Sequence, residues 1–160
     1  MPSKKFVKLL VMLGLQQSYL MGATTATATV TYTIGSIDSI SVSGNPGNLN
    51  VTTATAGSAP TNASDATTTY SVTTNNTARK VSGAVATAMP TGVTLSVNLA
   101  APTGATSAGV TTLTTTSTAL VSAIANIAAS SLSITYTLAA TVSAAQVAGS
   151  TNTVTYTIGP

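Results

Sequence analysis

The stretch Leu132-Ser133-Ile134-Thr135-Tyr136-Thr137-Leu138-Ala139-Ala140-Thr141-Val142 alternates apolar and small polar side chains over eleven positions. Successive side chains of an extended chain point to opposite faces, so a period of two makes one face apolar and leaves the other hydroxylated. That is the pattern of a half-buried antiparallel strand. The same pattern recurs outward from it. Val93, Leu95, Val97 and Leu99 alternate with Thr94, Ser96 and Asn98. Val154, Tyr156 and Ile158 close the chain in the same way, and Val30, Tyr32 and Ile34 repeat it near the start. Thr and Val, both β-branched and both abundant here, favour the pleated surface.

Weaker strand candidates lie at 39–43, 49–53, 69–73, 81–85 and 110–115. Compact turn signals separate the runs: Gly44-Asn45-Pro46-Gly47, Met89-Pro90-Thr91-Gly92 and Ala101-Pro102-Thr103-Gly104. Residues 56–67 read as a longer Ala/Ser/Thr loop containing Pro60. Short strands at this spacing predict an all-β fold, an antiparallel β-sandwich or barrel, and the sandwich is the expectation carried forward. One segment departs from the period. Leu120, Val121, Ile124 and Ile127 stand at helical spacing behind Ser117, a candidate N-cap, so one short helix is expected within 118–128, with another strand as the alternative. The expected inward set is Tyr32, Ile34, Leu95, Val97, Ile134, Tyr136, Leu138, Tyr156 and Ile158.

Charge is concentrated in one place. Of the five basic residues, Lys4, Lys5 and Lys8 fall within the first eight positions. An apolar run over 6–15, broken only by Lys8, follows the first two lysines. Gln16, Gln17 and Ser18 end it, and small residues stand at Gly22, Ala23, Ala26 and Ala28. This is the layout of a secretory signal. The apolar run is roughly half the ~20 residues that a membrane span needs. The expected organisation is a signal peptide over 1–23 and a single β-sandwich domain over 24–160. The mature chain is expected to have no transmembrane span and to be secreted or held at the cell surface. With no Cys, an exported fold of this kind has no disulfide and depends on burial and backbone pairing.

Beyond the leader the charged residues are Asp38, Asp65, Arg79 and Lys80, and there is no His, Glu, Cys or Trp. General acid–base chemistry draws mainly on His, Glu and Asp. A Ser or Thr nucleophile needs a base. Asp38, at a predicted strand start, and Asp65, in the polar loop, read as turn-stabilising or solvated carboxylates. Lys80 adjoins Arg79 after Thr74-Asn75-Asn76-Thr77, a predicted hairpin tip, and the two read as an exposed charge pair. The expectation is therefore a protein that is not an enzyme, with no catalytic residues, no cofactor and no metal. One Arg–Lys pair does not make the basic face that nucleic acid requires. Asn50, Asn62 and Asn75 open N-glycosylation sequons, as chance alone produces in a chain this rich in Thr and Ser.

The hexapeptide Val-Thr-Tyr-Thr-Ile-Gly occurs twice, at 30–35 and at 154–159. Two identical strands present the same side-chain order and so suit equivalent slots. In a chain of copies, the terminal strand of one is able to pair beside the last strand of the next, as β-augmentation. Val30, Tyr32, Ile34, Val154, Tyr156 and Ile158 are the candidate assembly residues, and the expected partner is a further copy of the chain. A body with so little charge has few of the edge lysines that normally discourage strand pairing.

The tail Val147-Ala148-Gly149-Ser150-Thr151-Asn152-Thr153-Val154-Thr155-Tyr156-Thr157-Ile158 resembles the closing strand of exported bacterial pilin-type β-sandwiches, in particular the spore coat protein U and archaic chaperone–usher pilin group. Residues 29–34 are similar to the N-terminal strand of that group. The resemblance implies an immunoglobulin-like sandwich that polymerises by strand exchange. The expected function is a secreted structural subunit of a surface filament, pilus-like appendage or coat. The alternative is a monomeric, surface-displayed, adhesin-like binding module. N-terminal sequencing of exported material is expected to begin between Ala23 and Thr29, and recovery of the intact 160-residue chain from the cytoplasm would reject the leader.

Overall fold

The computed structural model describes residues 24–160, and the leader predicted over 1–23 lies outside the described residues. The chain divides into two units, Met1–Thr33 and Ile34–Pro160. In the first, the described residues are exposed and have no regular secondary structure. The second unit is all β. Its strands are β1 (Asp38–Val42), β2 (Ala63–Thr74), β3 (Arg79–Val85), β4 (Val93–Leu99), β5 (Thr106–Ser107), β6 (Thr111–Thr112), β7 (Thr118–Ile124), β8 (Ile127–Ala140) and β9 (Val154–Gly159). Every pairing is antiparallel, in a five-stranded sheet β1-β2-β8-β4-β6 and a four-stranded sheet β5-β7-β3-β9.

The two sheets pack face to face as a β-sandwich. The five-stranded sheet contributes Tyr70 and Val72 from β2, Leu95, Val97 and Leu99 from β4, and Ile134 and Tyr136 from β8. The four-stranded sheet answers with Val81 and Val85 from β3 and Leu120, Val121 and Ile124 from β7. Their alternate neighbours, such as Thr94, Ser133 and Asn98, face solvent, as the period of two requires. Of the expected inward set, Leu95, Val97, Ile134 and Tyr136 are buried, and Leu138, Tyr156 and Ile158 are half-buried. Tyr32 and Ile34, expected inward, are instead exposed, because the segment that holds them pairs with no strand.

Among the described residues there is no helix, so the short helix expected within 118–128 is replaced by β7 and the start of β8. The cause is a pair of bulges. Between Arg79↔Ile124 and Val81↔Val121, three steps of β7 face two of β3; between Val81↔Val121 and Ser82↔Ala119, two steps face one. An extra residue in one strand lets two consecutive side chains share a face. Leu120 and Val121 are accordingly both buried, and Ala123 takes a positive φ of 58°. The resulting spacing of inward residues mimics a helix turn. Ile127 belongs to the next strand, beyond a turn in which Asn126 has φ 45°.

The loop expected over 56–67 is shorter than that, because β2 begins at Ala63. Asp65 therefore lies in a strand, at a bulge where β2 gains a residue between Asp65 and Thr68. Its carboxylate accepts from the Thr67 N–H at 3.1 Å and the Thr67 hydroxyl at 2.8 Å. The carboxylate thus satisfies a backbone donor that the bulge takes out of the ladder. The candidate at 49–53 forms no strand, and only an isolated bridge, Ala54↔Pro60, marks the region. The two Pro-Thr-Gly signals are turns of one kind: Val93 N–H donates to Pro90 O and Ala105 N–H to Pro102 O, each at 3.0 Å. Gly92 and Gly104 occupy the third position with φ 78° and 83°, which a side chain would oppose.

Thr68 points inward from β2 at 2% exposure, and its hydroxyl has no hydrogen-bond partner among the described residues. An unmade buried hydrogen bond costs about 1–3 kcal/mol, whereas a shape-matched apolar replacement removes that cost. Thr68→Val is expected to raise the melting temperature, while Ile134→Ala, at a fully buried position, lowers stability by about 2–5 kcal/mol. Denaturant titration of the two variants checks both signs. A destabilised Thr68→Val would mean that its hydroxyl is satisfied.

Candidate assembly edge

The two copies of Val-Thr-Tyr-Thr-Ile-Gly take different conformations. The C-terminal copy is β9, held in register on β3 through Lys80↔Gly159, Val81↔Ile158, Ser82↔Thr157, Gly83↔Tyr156, Ala84↔Thr155 and Val85↔Val154. The copy at 30–35 is in no strand, and its apolar side chains Val30, Tyr32 and Ile34 are 77%, 81% and 76% exposed. The structure thus places Val154, Tyr156 and Ile158 together on one inward-facing edge and leaves Val30, Tyr32 and Ile34 without cover. Identical local sequence is a strand only where a partner supplies the other half of the ladder.

β9 pairs with β3 on one side only and ends its sheet. Its inward residues Val154, Tyr156 and Ile158 are half-buried rather than sealed. β1, the edge of the opposite sheet, lies close to β9, and its own inward residue Ile40 is also half-buried. The core is therefore only partly covered along the seam between these two edges.

The seat of β9 is cut by a glycine. Gly83 is inward on β3, where a Cβ would stand 2.7 Å from Leu120 Cδ1 and 3.4 Å from Tyr156 Cε1. The absent side chain leaves room for the Tyr156 ring. Tyr156 Oη in turn donates to Tyr136 Oη at 2.9 Å, joining the four-stranded sheet to the five-stranded one. Tyr70 Oη donates to Ala100 O at 2.6 Å. Burial raises all three phenol pKa values, Tyr70 to about 12, and for Tyr156 the hydroxyl of Tyr136 raises it further.

Three of the four charged residues of this unit, Asp38, Asp65 and Arg79, are engaged by side-chain partners. Asp38 opens β1 as expected. Its carboxylate accepts from Thr74 Oγ1 at 2.7 Å and Asn76 Nδ2 at 3.1 Å, and pairs with Arg79 Nε at 3.0 Å. The Thr74 hydroxyl above all, with Asn76 and Arg79 adding to it, holds the carboxylate below its usual value against the opposing effect of desolvation. Thr67 does the same for Asp65. Arg79 and Lys80, expected as an exposed loop pair, instead begin β3, where Arg79 is half-buried against Asp38 and Lys80 faces solvent. Residues 74–77, expected as a hairpin tip, instead cross from the five-stranded sheet to the four-stranded one, because β2 and β3 do not pair, and Asn75 and Asn76 reach back from there to residues 35–38. The only local signal was the Asn-Asn pair itself. Among the described residues no helix is long and apolar enough to cross a membrane.

No protein-family model matches the chain, and no curated protein or solved structure matches it.

The buried phenols set an alkaline limit. In the unfolded chain tyrosine ionises near 10, whereas Tyr70 in the fold resists until about 12 and Tyr136 and Tyr156 are also raised. Their contribution to stability is full below pH 10 and is lost as pH rises through the folded values. The melting temperature is expected to fall steeply between about pH 10 and 12, with phenolate absorbance rising alongside loss of near-ultraviolet dichroism. Ionisation of Tyr70, Tyr136 and Tyr156 near 10 with the fold intact would contradict this burial.

Proposed function

We propose that the protein is an exported structural subunit, not an enzyme, that assembles with copies of itself into a surface filament, pilus-like appendage or coat by strand exchange. The observation that carries this reading is the pairing of two identical hexapeptides in opposite states. One is an edge strand with half-buried inward residues; the other is exposed along its apolar side. The segment 30–35 of one copy adds beside β9 of the next, where Tyr32 covers the seam and the backbone ladder continues. Burying an apolar side chain of this size is worth about 1.5–3 kcal/mol, and three of them support a specific contact. The edge carries no charged side chain within β9 to oppose a neighbour. The resemblance to pilin-type sandwiches points the same way, and nucleic acid has no part in this reading.

Deletion of 24–35 is expected to abolish fibres seen by negative-stain microscopy, and a synthetic peptide of that segment is expected to bind the truncated subunit and raise its melting temperature. Assembly driven by apolar burial and backbone pairing is expected to respond little to salt. Fibres that persist after the deletion, or a full chain that stays monomeric at high concentration, would favour the binding-module alternative.

A further inference from the structure

The turn between β2 and β3 directs its two asparagine side chains onto one distant segment. Asn75 Oδ1 accepts from the Ile37 N–H at 2.8 Å, and Asn75 Nδ2 donates to Gly35 O at 2.7 Å. Asn76 Nδ2 donates to Ser36 Oγ at 2.9 Å, Ile37 O at 3.1 Å and Asp38 Oδ1 at 3.1 Å. The Asn75 N–H donates to Ile37 O at 3.3 Å, and Ser36 Oγ donates to Asn76 Oδ1 at 3.2 Å. Thr74 and Arg79 close the group on the Asp38 carboxylate. Each of the four residues 35–38 is thus tied to the turn, three of them before β1 begins at Asp38.

These bonds are more than β1 needs to pair. Its ladder with β2 runs from Asp38↔Thr74 to Val42↔Tyr70 without them. They are also exposed to water, where a hydrogen bond contributes little net stability. What they specify is position. Residues 35–38 are the root of the hexapeptide at 30–35. β1 is a short, mostly exposed edge strand, so tension on that root would peel it from β2 starting at Asp38. The asparagine ties pass that tension to the β2–β3 turn instead. The same turn leads into the β3 residue Lys80, which faces Gly159, so the root is anchored at the Gly159 end of β9. Fixing the root beforehand also removes part of the ordering cost that strand exchange would meet.

Building on the strand-exchange reading, we propose that Asn75 and Asn76 are positioning residues for assembly, which hold the root of the exchanged segment to the β2–β3 turn and keep β1 from peeling under load. The test compares the full-length chain with its Asn75→Ala/Asn76→Ala variant, using amide hydrogen exchange on the unassembled subunit and heat dissociation of fibres. The Ile37 amide is expected to exchange at least tenfold faster in the variant, with the Val72 and Ile134 amides unchanged. The variant fibres are expected to dissociate at lower temperature while the subunit melts as before. Asn75→Asp, which keeps the acceptor for the Ile37 N–H, is expected to retain Ile37 protection and part of the fibre stability, and it serves if the double variant does not fold. An unchanged Ile37 amide overturns the tie. Faster exchange with wild-type fibres overturns the role in assembly, as does fibre loss no larger than the loss of subunit melting temperature. A wild-type chain that forms no fibres overturns the exchange reading itself, and the exchange rates then still report whether the tie exists.

Discussion

The interaction on which this structure depends is the burial of one face of β8 in the core between the two sheets. β8 is the middle strand of the five-stranded sheet, paired with β2 on one side and β4 on the other. Its inward Ile134 and Tyr136 are buried in the same core cluster as Val81, Val121 and Ile124 of the other sheet. No disulfide reinforces this contact, since the chain has no cysteine. Among the described residues one ion pair, Arg79–Asp38, lies at the half-exposed rim and is of the kind that contributes little. Stability therefore rests on side-chain alternation being kept in register, because a slip of one residue would turn every apolar group to solvent.

That dependence explains which parts of the fold were legible. The runs at 93–99 and 154–158 alternate and each is a strand, whereas the run at 132–142 is a strand only as far as Ala140, and Val142 beyond it is exposed. The segment around Leu120 was not legible, because bulges on β7 put two neighbouring side chains on one face and erase the period. The same device hid the start of β2, where the Asp65 bulge resembles loop chemistry in sequence. Segment 30–35 shows the opposite limit. Its pattern is identical to that of β9, yet it is not a strand, because strand formation is a property of a pair of segments.

The candidate edge was visible as a repeated hexapeptide, but its setting was not. Nothing local announces that Gly83 opens a space for Tyr156, or that two asparagines bind a segment so far upstream. Side chain–backbone bonds between distant residues leave no periodic trace. The sequence showed which residues were unusual, while the partners of those residues depended on the strand order.

The glycine at position 83 ties its own future to a residue far along the chain. With a Cβ there only 2.7 Å from Leu120 and 3.4 Å from the Tyr156 ring, even alanine needs the Leu120 tip to shift, and a larger side chain has the ring beside it to accommodate as well. Positions 83, 120 and 156 can therefore drift only together: a larger residue at 83 becomes tolerable once 120 or 156 has shrunk. In a randomised library such a chain would accept paired changes at these sites that it rejects singly, so the history of its last strand is written partly on β3.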